Sequence, residues 1–374
     1  MSTIDDRIPV ARPWLGGNEE SYVLDCVRSS WISSQGRYIG MFEKAFSAVA
    51  GTTYAAACCN GTVALHLGLL ALGIGPGDEV IMPSLTYIAT ANAARYCGAR
   101  PVFIDSEADT WNMNPELIEA AITERTKAIV AVHLYGQPCD MRTICSVAAA
   151  HGLRVLEDAA EAHGALCYGK PVGSLGDIAA FSFFGNKIIT CGEGGMVTTD
   201  DESLWRRVVQ LKSQGVDPER RYWFPIVGYN YRMTNIEAAI GLAQVEKAEF
   251  HIGERRRIAA LYDRELRGLD ELQLPTTRAW ADNVFWMYSV VLRGECSVSR
   301  DTVIDRMAAC GVETRPFFYP IHTLPPYAAE NGSTHLPVAE KLGMRGMNLP
   351  TFSGMTEEQV VRVSTSLKGV IRGS

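Results

Sequence analysis

Between about residues 55 and 184 the chain alternates short apolar segments with helical spacers, and this rhythm limits its fold more than any other feature. The apolar segments are rich in branched or aromatic residues and bounded by Gly, Pro or Asp, as buried strands are. They lie at residues 79–82, 101–104, 128–133, 154–156 and 178–184. Helical patterns at 62–72, 114–123 and 141–151 separate several of them. Strands joined by helices predict crossover connections and a largely parallel sheet.

The pattern changes after about residue 236. A long helical pattern covers 236–269, a strand candidate lies at 285–292, and helices follow at 300–310 and from Thr356 onward. A chain of 374 residues is long enough for two hydrophobic cores. We therefore expect a large α/β domain over residues 1–245, which includes the N-terminal segment, and a smaller α+β domain over residues 246–374.

Composition and charge exclude several classes of protein. The net charge of −7 argues against a nucleic-acid partner. No stretch approaches the roughly 18 apolar residues of a membrane span, and the acidic start lacks the apolar core of a signal peptide. Ten cysteines without a CxxC pair predict reduced thiols in a cytoplasmic protein. The seven histidines show no metal-ligand spacing, so we predict no metal.

Groups suited to binding a ligand lie at the ends of three predicted elements, where a buried core would not select them. Asp158 follows an apolar strand, and Lys187 ends a segment that also contains Ser182. Gly61 and Thr62 begin the helix that runs to residue 72. Ligands of parallel sheets bind beyond the carboxyl ends of the strands. We therefore look for chemistry at that edge.

Pyridoxal phosphate needs the three groups that these positions supply. Its aldehyde needs an amine such as Lys187, and its pyridine nitrogen needs a carboxylate such as Asp158 to keep it protonated. Its phosphate needs amide donors, which a helix beginning at Gly61 and Thr62 provides, and the Ser182 hydroxyl can add to them. Each feature alone has a simpler explanation, namely a solvated lysine, a capping aspartate or a capping turn.

At these residues the chain resembles the sugar aminotransferase family of fold-type-I pyridoxal-phosphate enzymes, the DegT/DnrJ/EryC1/StrS type. The resemblance covers nearly the whole length. It includes NGTVALHLGLLALGIGPGDEVIMPSLTYIATANA at 60–93, EDAAEAHGA at 157–165, GDIAAFSFFGNKIITCGEGGMV at 176–197 and GYNYRMTNIEAAIGL at 228–242. It implies an α/β fold: a large domain with a mostly parallel seven-stranded sheet flanked by helices, plus a smaller C-terminal α+β domain.

The resemblance also implies how pyridoxal phosphate is held. Lys187 would bind it covalently and Asp158 would pair with its ring nitrogen, and these two are the predicted catalytic residues. The cofactor-binding residues implied by position are Gly61, Thr62, Tyr87, Asp158, Glu161, Ser182, Lys187 and Asn230. Among them Tyr87 would stack on the ring, and Asn230 would reach the phosphate of the partner subunit, which implies a homodimer with shared active sites. Glu161 departs from the family, since many members have Gln there, near the ring hydroxyl.

Two further segments suggest the substrate. WISSQGRYI at 31–39 and ETRPFFYPIHTLPPY at 313–327 are similar to members that use glutamate to aminate C4 of GDP-4-keto-6-deoxymannose, giving GDP-perosamine. The substrate-binding candidates are Trp31, Ser34, Arg232, Tyr319 and His322, with Arg232 assigned to the glutamate carboxylate. Family members that act as dehydratases replace the lysine with His, so Lys187 favours transamination. The alternatives are a 3- or 4-aminotransferase of UDP- or dTDP-linked keto sugars, a dehydratase, and a non-catalytic cofactor-binding regulator.

Overall fold

The computed structural model describes residues 7–294, 296–331 and 334–372. Their strands form three sheets. The strands are β1 (Tyr54–Cys58), β2 (Glu79–Pro83), β3 (Arg100–Ile104), β4 (Thr126–Val132), β5 (Arg154–Asp158), β6 (Leu166–Cys167), β7 (Lys170–Pro171), β8 (Ile178–Ser182), β9 (Gly195–Thr199), β10 (Leu272–Gln273), β11 (Ala281–Asp282), β12 (Tyr288–Leu292), β13 (Arg315–Pro316) and β14 (Gly346–Leu349).

The main sheet has seven strands in the order β1-β9-β8-β5-β4-β2-β3. All neighbours from β8 to β3 pair in parallel, and only β9 is antiparallel to its two neighbours. Every apolar segment predicted as a strand between residues 79 and 184 belongs to this sheet. The predicted α/β fold with a mostly parallel seven-stranded sheet is confirmed.

The helices between and after the strands are α1 (Glu19–Ser29), α2 (Arg37–Ala50), α3 (Gly61–Ala71), α4 (Ala89–Tyr96), α5 (Ile118–Ala121), α6 (Met141–Ala150), α7 (Glu202–Lys212), α8 (Asn235–Val245), α9 (Ala248–Leu266), α10 (Arg300–Ala309), α11 (Pro325–Asn331), α12 (Pro337–Arg345) and α13 (Glu357–Arg372). Two sequence predictions are wrong. The single helical pattern at 236–269 is two helices, α8 and α9, because Lys247 leaves helical geometry, with φ −111° and ψ 16°. The pattern at 114–123 gives only a 3₁₀ turn, Pro115–Leu117, followed by the short α5.

A second, four-stranded sheet lies in the C-terminal part of the chain, in the antiparallel order β10-β12-β14-β13. Tyr262, Tyr288 and Leu349 belong to an apolar core of its own, which α9 and α13 complete. Ile8 from the N-terminal segment joins this core and bridges to Val312. The domain boundary near residue 245 stays a prediction.

Glu157 is a fully buried carboxylate that fixes the end of β5. It accepts backbone hydrogen bonds at 2.8 to 3.0 Å from the N–H groups of Gly173, Leu175 and Gly176. It also accepts one at 3.1 Å from Nε2 of His133, whose Nδ1 accepts the Cys139 N–H and so leaves the ring proton on Nε2. Burial acts to raise the pKa of Glu157, but these donors, His133 first, outweigh burial and lower the pKa.

We predict that Glu157→Ala lowers the free energy of unfolding by about 3–5 kcal/mol, because it leaves two buried and two partly buried donors unpaired. Exposed Glu116 provides the control, since Glu116→Ala should change this free energy by no more than about 0.5 kcal/mol. The pKa of Glu157 is lower in the folded state, so the difference should be full above the ordinary glutamate pKa of about 4.3 and shrink as the pH falls further. Urea unfolding measures both, and a loss below about 1 kcal/mol contradicts the assignment.

Candidate active site

The carboxyl ends of β5 and β8 bring Asp158 and Lys187 to one edge of the main sheet. The two strands are parallel neighbours. Asp158 is the last residue of β5, and Lys187 follows the end of β8 at Ser182 by five residues. The predicted amine and the predicted carboxylate therefore lie at the same edge, as expected for a site beyond the strand ends.

The Lys187 side chain is largely buried, with 11% of it exposed. Its Nζ lies 3.6 Å from Oε1 of Glu161 and 3.8 Å from the centroid of the Trp286 ring. Burial lowers the pKa of Lys187, and the nearby carboxylates of Glu161 and Asp158 oppose that effect. An amine whose pKa is lowered loses its proton more readily, which makes it a better nucleophile and a usable base.

Asp158 is held by two donors. Its Oδ2 accepts the Thr90 hydroxyl proton at 2.7 Å, and its Oδ1 accepts the Ala160 N–H at 3.3 Å. Burial raises the pKa of Asp158, while the Thr90 and Ala160 hydrogen bonds and the Lys187 charge act in the opposite direction. Burial penalises a carboxylate that has no positively charged partner. A protonated ring nitrogen beside Asp158 would be that partner, so this fixed carboxylate suits the predicted cofactor.

Glu161 lies between Lys187 and a backbone amide. Its Oε2 accepts the Tyr135 N–H at 2.8 Å, and its Oε1 faces Lys187. Burial raises the pKa of Glu161 to about 7, although the Lys187 charge and the Tyr135 hydrogen bond oppose the rise. The structure thus places Glu161 at the amine of Lys187. Its predicted contact with a ring hydroxyl stays a prediction.

The start of α3 forms a cradle for an anion. The Asn60 side chain accepts the Val63 N–H at 3.0 Å and caps the helix. Within the described residues the N–H groups of Gly61 and Thr62 have no hydrogen-bond partner. Gly61 lies directly against Ser182, so that a Cβ on Gly61 would stand 2.6 Å from the Ser182 Cβ. Free amides beside a hydroxyl, at a helix N-terminus, fit the phosphate of the expected cofactor.

Aromatic rings line the site in a row that we call the aromatic row, formed by Tyr87, Phe318, Tyr135 and Trp286. Successive ring centroids lie 5.7, 5.6 and 6.2 Å apart. The Trp286 Nε1–H donates to the carbonyl of Asn186 at 2.7 Å, which fixes this ring beside the lysine. Tyr87 at the other end is 57% exposed, so its face is available to a flat ligand, as its predicted stacking role requires.

Three residues of this site, Thr90, Tyr135 and Trp286, carry no signal in the sequence that predicts their place here. Tyr135 has a positive φ of 54°, and the adjacent Gly136 lies so close to the 285–286 backbone that a Cβ there would be 2.8 Å from two amide nitrogens. This close approach brings Trp286 to the lysine. No local pattern marks it, because the contact joins segments about 150 residues apart.

Asn230 and Arg232 lie on the surface of the chain. Arg232 Nε–H donates to Oδ1 of Asn230 at 3.1 Å, and both side chains are exposed. Across the described part of the chain, no hydrogen bond joins Asn230 to Gly61 or Ser182. Its backbone bridges to Ser213, and the backbone of the neighbouring Arg232 bridges to Cys58, two residues before the Asn60 cap.

The other predicted substrate residues have different environments. Trp31 and Tyr319 are both 55% exposed, and Ser34 is half-buried. His322 is buried, and its two ring nitrogens are engaged by the Ser84 hydroxyl at 2.7 Å and Glu340 at 3.2 Å. His322 therefore has no free ring nitrogen for a substrate in this arrangement, and it links the 321–323 segment to the end of β2.

Metal-binding clusters and membrane-spanning helices are both absent from the described residues. These residues contain no group of His, Cys, Asp and Glu side chains that could hold a metal ion. Their helices include none with both the length and the apolar character needed to cross a membrane.

The known proteins that match this chain agree with the resemblance seen in its sequence. The model of the DegT/DnrJ/EryC1/StrS aminotransferase family matches residues 14–368. The GDP-perosamine synthase of Caulobacter vibrioides is 55% identical over 366 residues, 98% of each chain, and that of Escherichia coli O157:H7 is 49% identical over 96% of this chain and 97% of its own. The crystal structure of DesI with its TDP-sugar product superposes with a TM-score of 0.91 at 35% identity, over 99% of this chain and 94% of that one.

We predict that Gly61→Ala weakens the binding of pyridoxal phosphate by on the order of tenfold or more, because the added methyl group occupies the space between α3 and Ser182. Gly40→Ala is the matched control, since a Cβ at Gly40 has nothing within 4 Å. Fluorescence titration of each variant with the cofactor gives the affinities. Equal affinities for the two variants would contradict the cradle.

Proposed function

The chain belongs to the DegT/DnrJ/EryC1/StrS aminotransferase family, and on that basis we propose that it transfers the amino group of glutamate to C4 of GDP-4-keto-6-deoxymannose, giving GDP-perosamine. Its cofactor is pyridoxal phosphate, as in the family. The observation that carries the reaction type is the meeting of Lys187, Asp158 and the free amides of α3 at one edge of the sheet.

The choice of sugar is supported by the relatives. Two GDP-perosamine synthases at 55% and 49% identity match almost the whole of both chains. DesI, whose crystal structure was determined in the presence of its TDP-sugar product, is 35% identical. An amino group at C4 of a GDP-linked sugar is therefore favoured over the UDP- and dTDP-linked alternatives.

Bound pyridoxal phosphate supplies an electron sink that stabilises negative charge at the carbon next to the transferred nitrogen. Asp158 maintains that sink by balancing a protonated ring nitrogen, while Thr90 and Ala160 hold the carboxylate in place. The amides of Gly61 and Thr62, with the Ser182 hydroxyl, bind the phosphate and fix the orientation of the ring.

Lys187 performs the covalent and proton-transfer steps. Its Nζ would be the attachment point of the cofactor, and its amine would be free once the amine of glutamate has taken its place. The freed amine then takes the proton from the α-carbon of glutamate, and in the second half-reaction it delivers a proton to C4 of the sugar. Trp286 covers Nζ at 3.8 Å, which limits the access of water to the amine.

The proposal predicts the product directly. Wild-type protein supplied with glutamate should convert GDP-4-keto-6-deoxymannose to a product carrying nitrogen at C4, and it should consume one glutamate per sugar. Lys187→Ala should lose this turnover by several orders of magnitude, since the nucleophile and the base are removed together.

Mass spectrometry and NMR of the product, over a panel of GDP-, UDP- and dTDP-linked keto sugars, measure both expectations. Amination at C3, a preference for a UDP- or dTDP-linked sugar, or turnover without loss of glutamate would each contradict the proposed reaction. Retention of more than a few per cent of the activity in Lys187→Ala would contradict the role of the lysine.

We also propose that two copies of the chain share their active sites. Just before Asn230, large apolar side chains stand in solvent: Tyr222 is 74% exposed, Phe224 51% and Val227 90%. A patch of this kind on a single subunit is typical of a surface that another protein covers. A second copy on this surface would place Asn230, an amide with two N–H donors, beside the phosphate of its partner.

Mixing two inactive variants tests the shared site. Lys187→Ala and Asn230→Ala are unfolded together and refolded in equal amounts, so that about half of the dimers are hybrids. If Asn230 acts across the interface, each hybrid has one intact site, and about a quarter of the wild-type activity returns. Activity equal to the sum of the two parents, with hybrids verified by mass spectrometry, would contradict the shared site.

A cytoplasmic location is part of the same proposal. All ten cysteines are free thiols, and most of them are buried. Free thiols persist in a reducing compartment, and disulfides form in oxidising ones. The thiol pattern therefore supports the cytoplasm.

A further inference from the structure

The contact between Lys187 and Glu161 has features that transamination in general does not require. Of the two carboxylates that interact with Lys187, Asp158 already accepts a hydrogen bond on each oxygen. Glu161 accepts one on Oε2 only, from the Tyr135 N–H. Its Oε1 is turned to Nζ of Lys187, at 3.6 Å. Of the two carboxylates, Glu161 therefore lies nearer to the amine, and the Tyr135 N–H holds it in place from its other side.

Burial changes the balance of charge within this pair. With their ordinary pKa values of about 10.4 and 4.3, a lysine and a glutamate in water remain an ammonium and a carboxylate. Here burial lowers the pKa of Lys187 and raises the pKa of Glu161 to about 7. Since desolvation penalises both charges, the neutral pair, amine and carboxylic acid, becomes accessible.

We propose that Glu161 is the proton partner of Lys187. When the lysine becomes a nucleophile or a base, one N–H bond of its ammonium breaks, an O–H bond forms on Oε1, and two opposite charges become two neutral groups. The proton returns when the amine is protonated again, so atoms and charge balance without a further reactant. The inference rests on the proposed function, because it concerns the lysine that holds the cofactor. Glu161 acts through Lys187 and is a positioning residue.

The other titratable groups around the pair are unsuited to this task. Burial raises the pKa of the Tyr135 hydroxyl, which remains protonated and accepts the Phe318 N–H. Burial lowers the pKa of His163 to about 3, so its ring stays neutral. The Asp158 charge raises the pKa of Glu161 further, which favours proton uptake there.

The distance sets one geometric condition. At 3.6 Å the contact is an ion pair and is longer than a hydrogen bond. Proton transfer requires Nζ and Oε1 to approach by about half an ångström, which a small rotation of the unbranched lysine side chain provides. Because the Tyr135 amide fixes the carboxylate, the lysine is the group that moves.

Glu161→Gln removes the capacity to take up a proton and keeps the shape of the side chain. The Gln side chain has the same size, and its amide oxygen can still accept the Tyr135 N–H, but it cannot take up a proton. Glu43→Gln is the matched control. Glu43 pairs with the buried Lys212 at 3.2 Å, outside the candidate site.

Difference infrared spectroscopy tests the proposal without measuring turnover. Spectra of wild-type protein with and without pyridoxal phosphate are compared at about pH 8, above the ordinary pKa of a carboxyl group. Attachment of the cofactor should produce the carbonyl stretch of a protonated carboxylic acid, which shifts in D₂O. The band should be absent in Glu161→Gln and present in Glu43→Gln. Calorimetry in buffers of different ionisation enthalpy should show that wild-type protein releases up to one proton fewer than Glu161→Gln on binding the cofactor.

Three outcomes of these experiments would overturn the inference. Cofactor attachment without such a band in the wild-type protein overturns the inference and leaves the proposed function intact, even if Glu161→Gln fails to fold. A band of equal intensity in Glu161→Gln also overturns it, since another group then holds the proton. A wild-type protein that takes up no cofactor overturns the proposed function, and this inference with it.

Discussion

The site depends on charges buried side by side at the carboxyl edge of a parallel sheet. Asp158 and Lys187 reach this edge because β5 and β8 are parallel neighbours. Burial disfavours both charged forms, so each needs a partner, and Thr90, Ala160 and Glu161 provide the partners. The adjacent Glu157 fixes the end of β5 through four hydrogen bonds and thereby holds Asp158 in position. The chemistry of the lysine is thus prepared by the packing of the sheet.

The part of this arrangement that depends on local pattern could be predicted from the sequence. Strands with apolar runs, and a helix that begins at Gly61, follow from spacing and from the residues that bound them. Residues joined only by tertiary contact could not be predicted. Thr90 reaches Asp158 from α4, and Trp286 reaches Lys187 because Gly136 allows two distant segments to touch. The break between α8 and α9 was also missed, since a continuous helical pattern does not show where the chain turns.

The predicted contacts of cofactor and substrate fall into two groups in the structure. Those on the cofactor side, Gly61, Ser182, Asp158 and Lys187, come from α3, β5, β8 and the segment that follows β8 in one chain. Those assigned to the partner or the substrate, among them Trp31, Asn230 and Arg232, lie on the surface. This division agrees with the proposed dimer. In that dimer one chain supplies the residues for the covalent chemistry, and its partner supplies residues that complete the active site. His322 differs from both groups, because its two ring nitrogens already bind Ser84 and Glu340.

Chemical trapping shows directly whether Lys187 is the residue that holds the cofactor. The protein loaded with pyridoxal phosphate is reduced with borohydride, which makes the lysine link permanent, then digested and mapped by tandem mass spectrometry. We expect a single modified residue, Lys187, whose buried amine faces Glu161 and Trp286. Modification of another lysine, such as the buried Lys212, with Lys187 unmodified would contradict it.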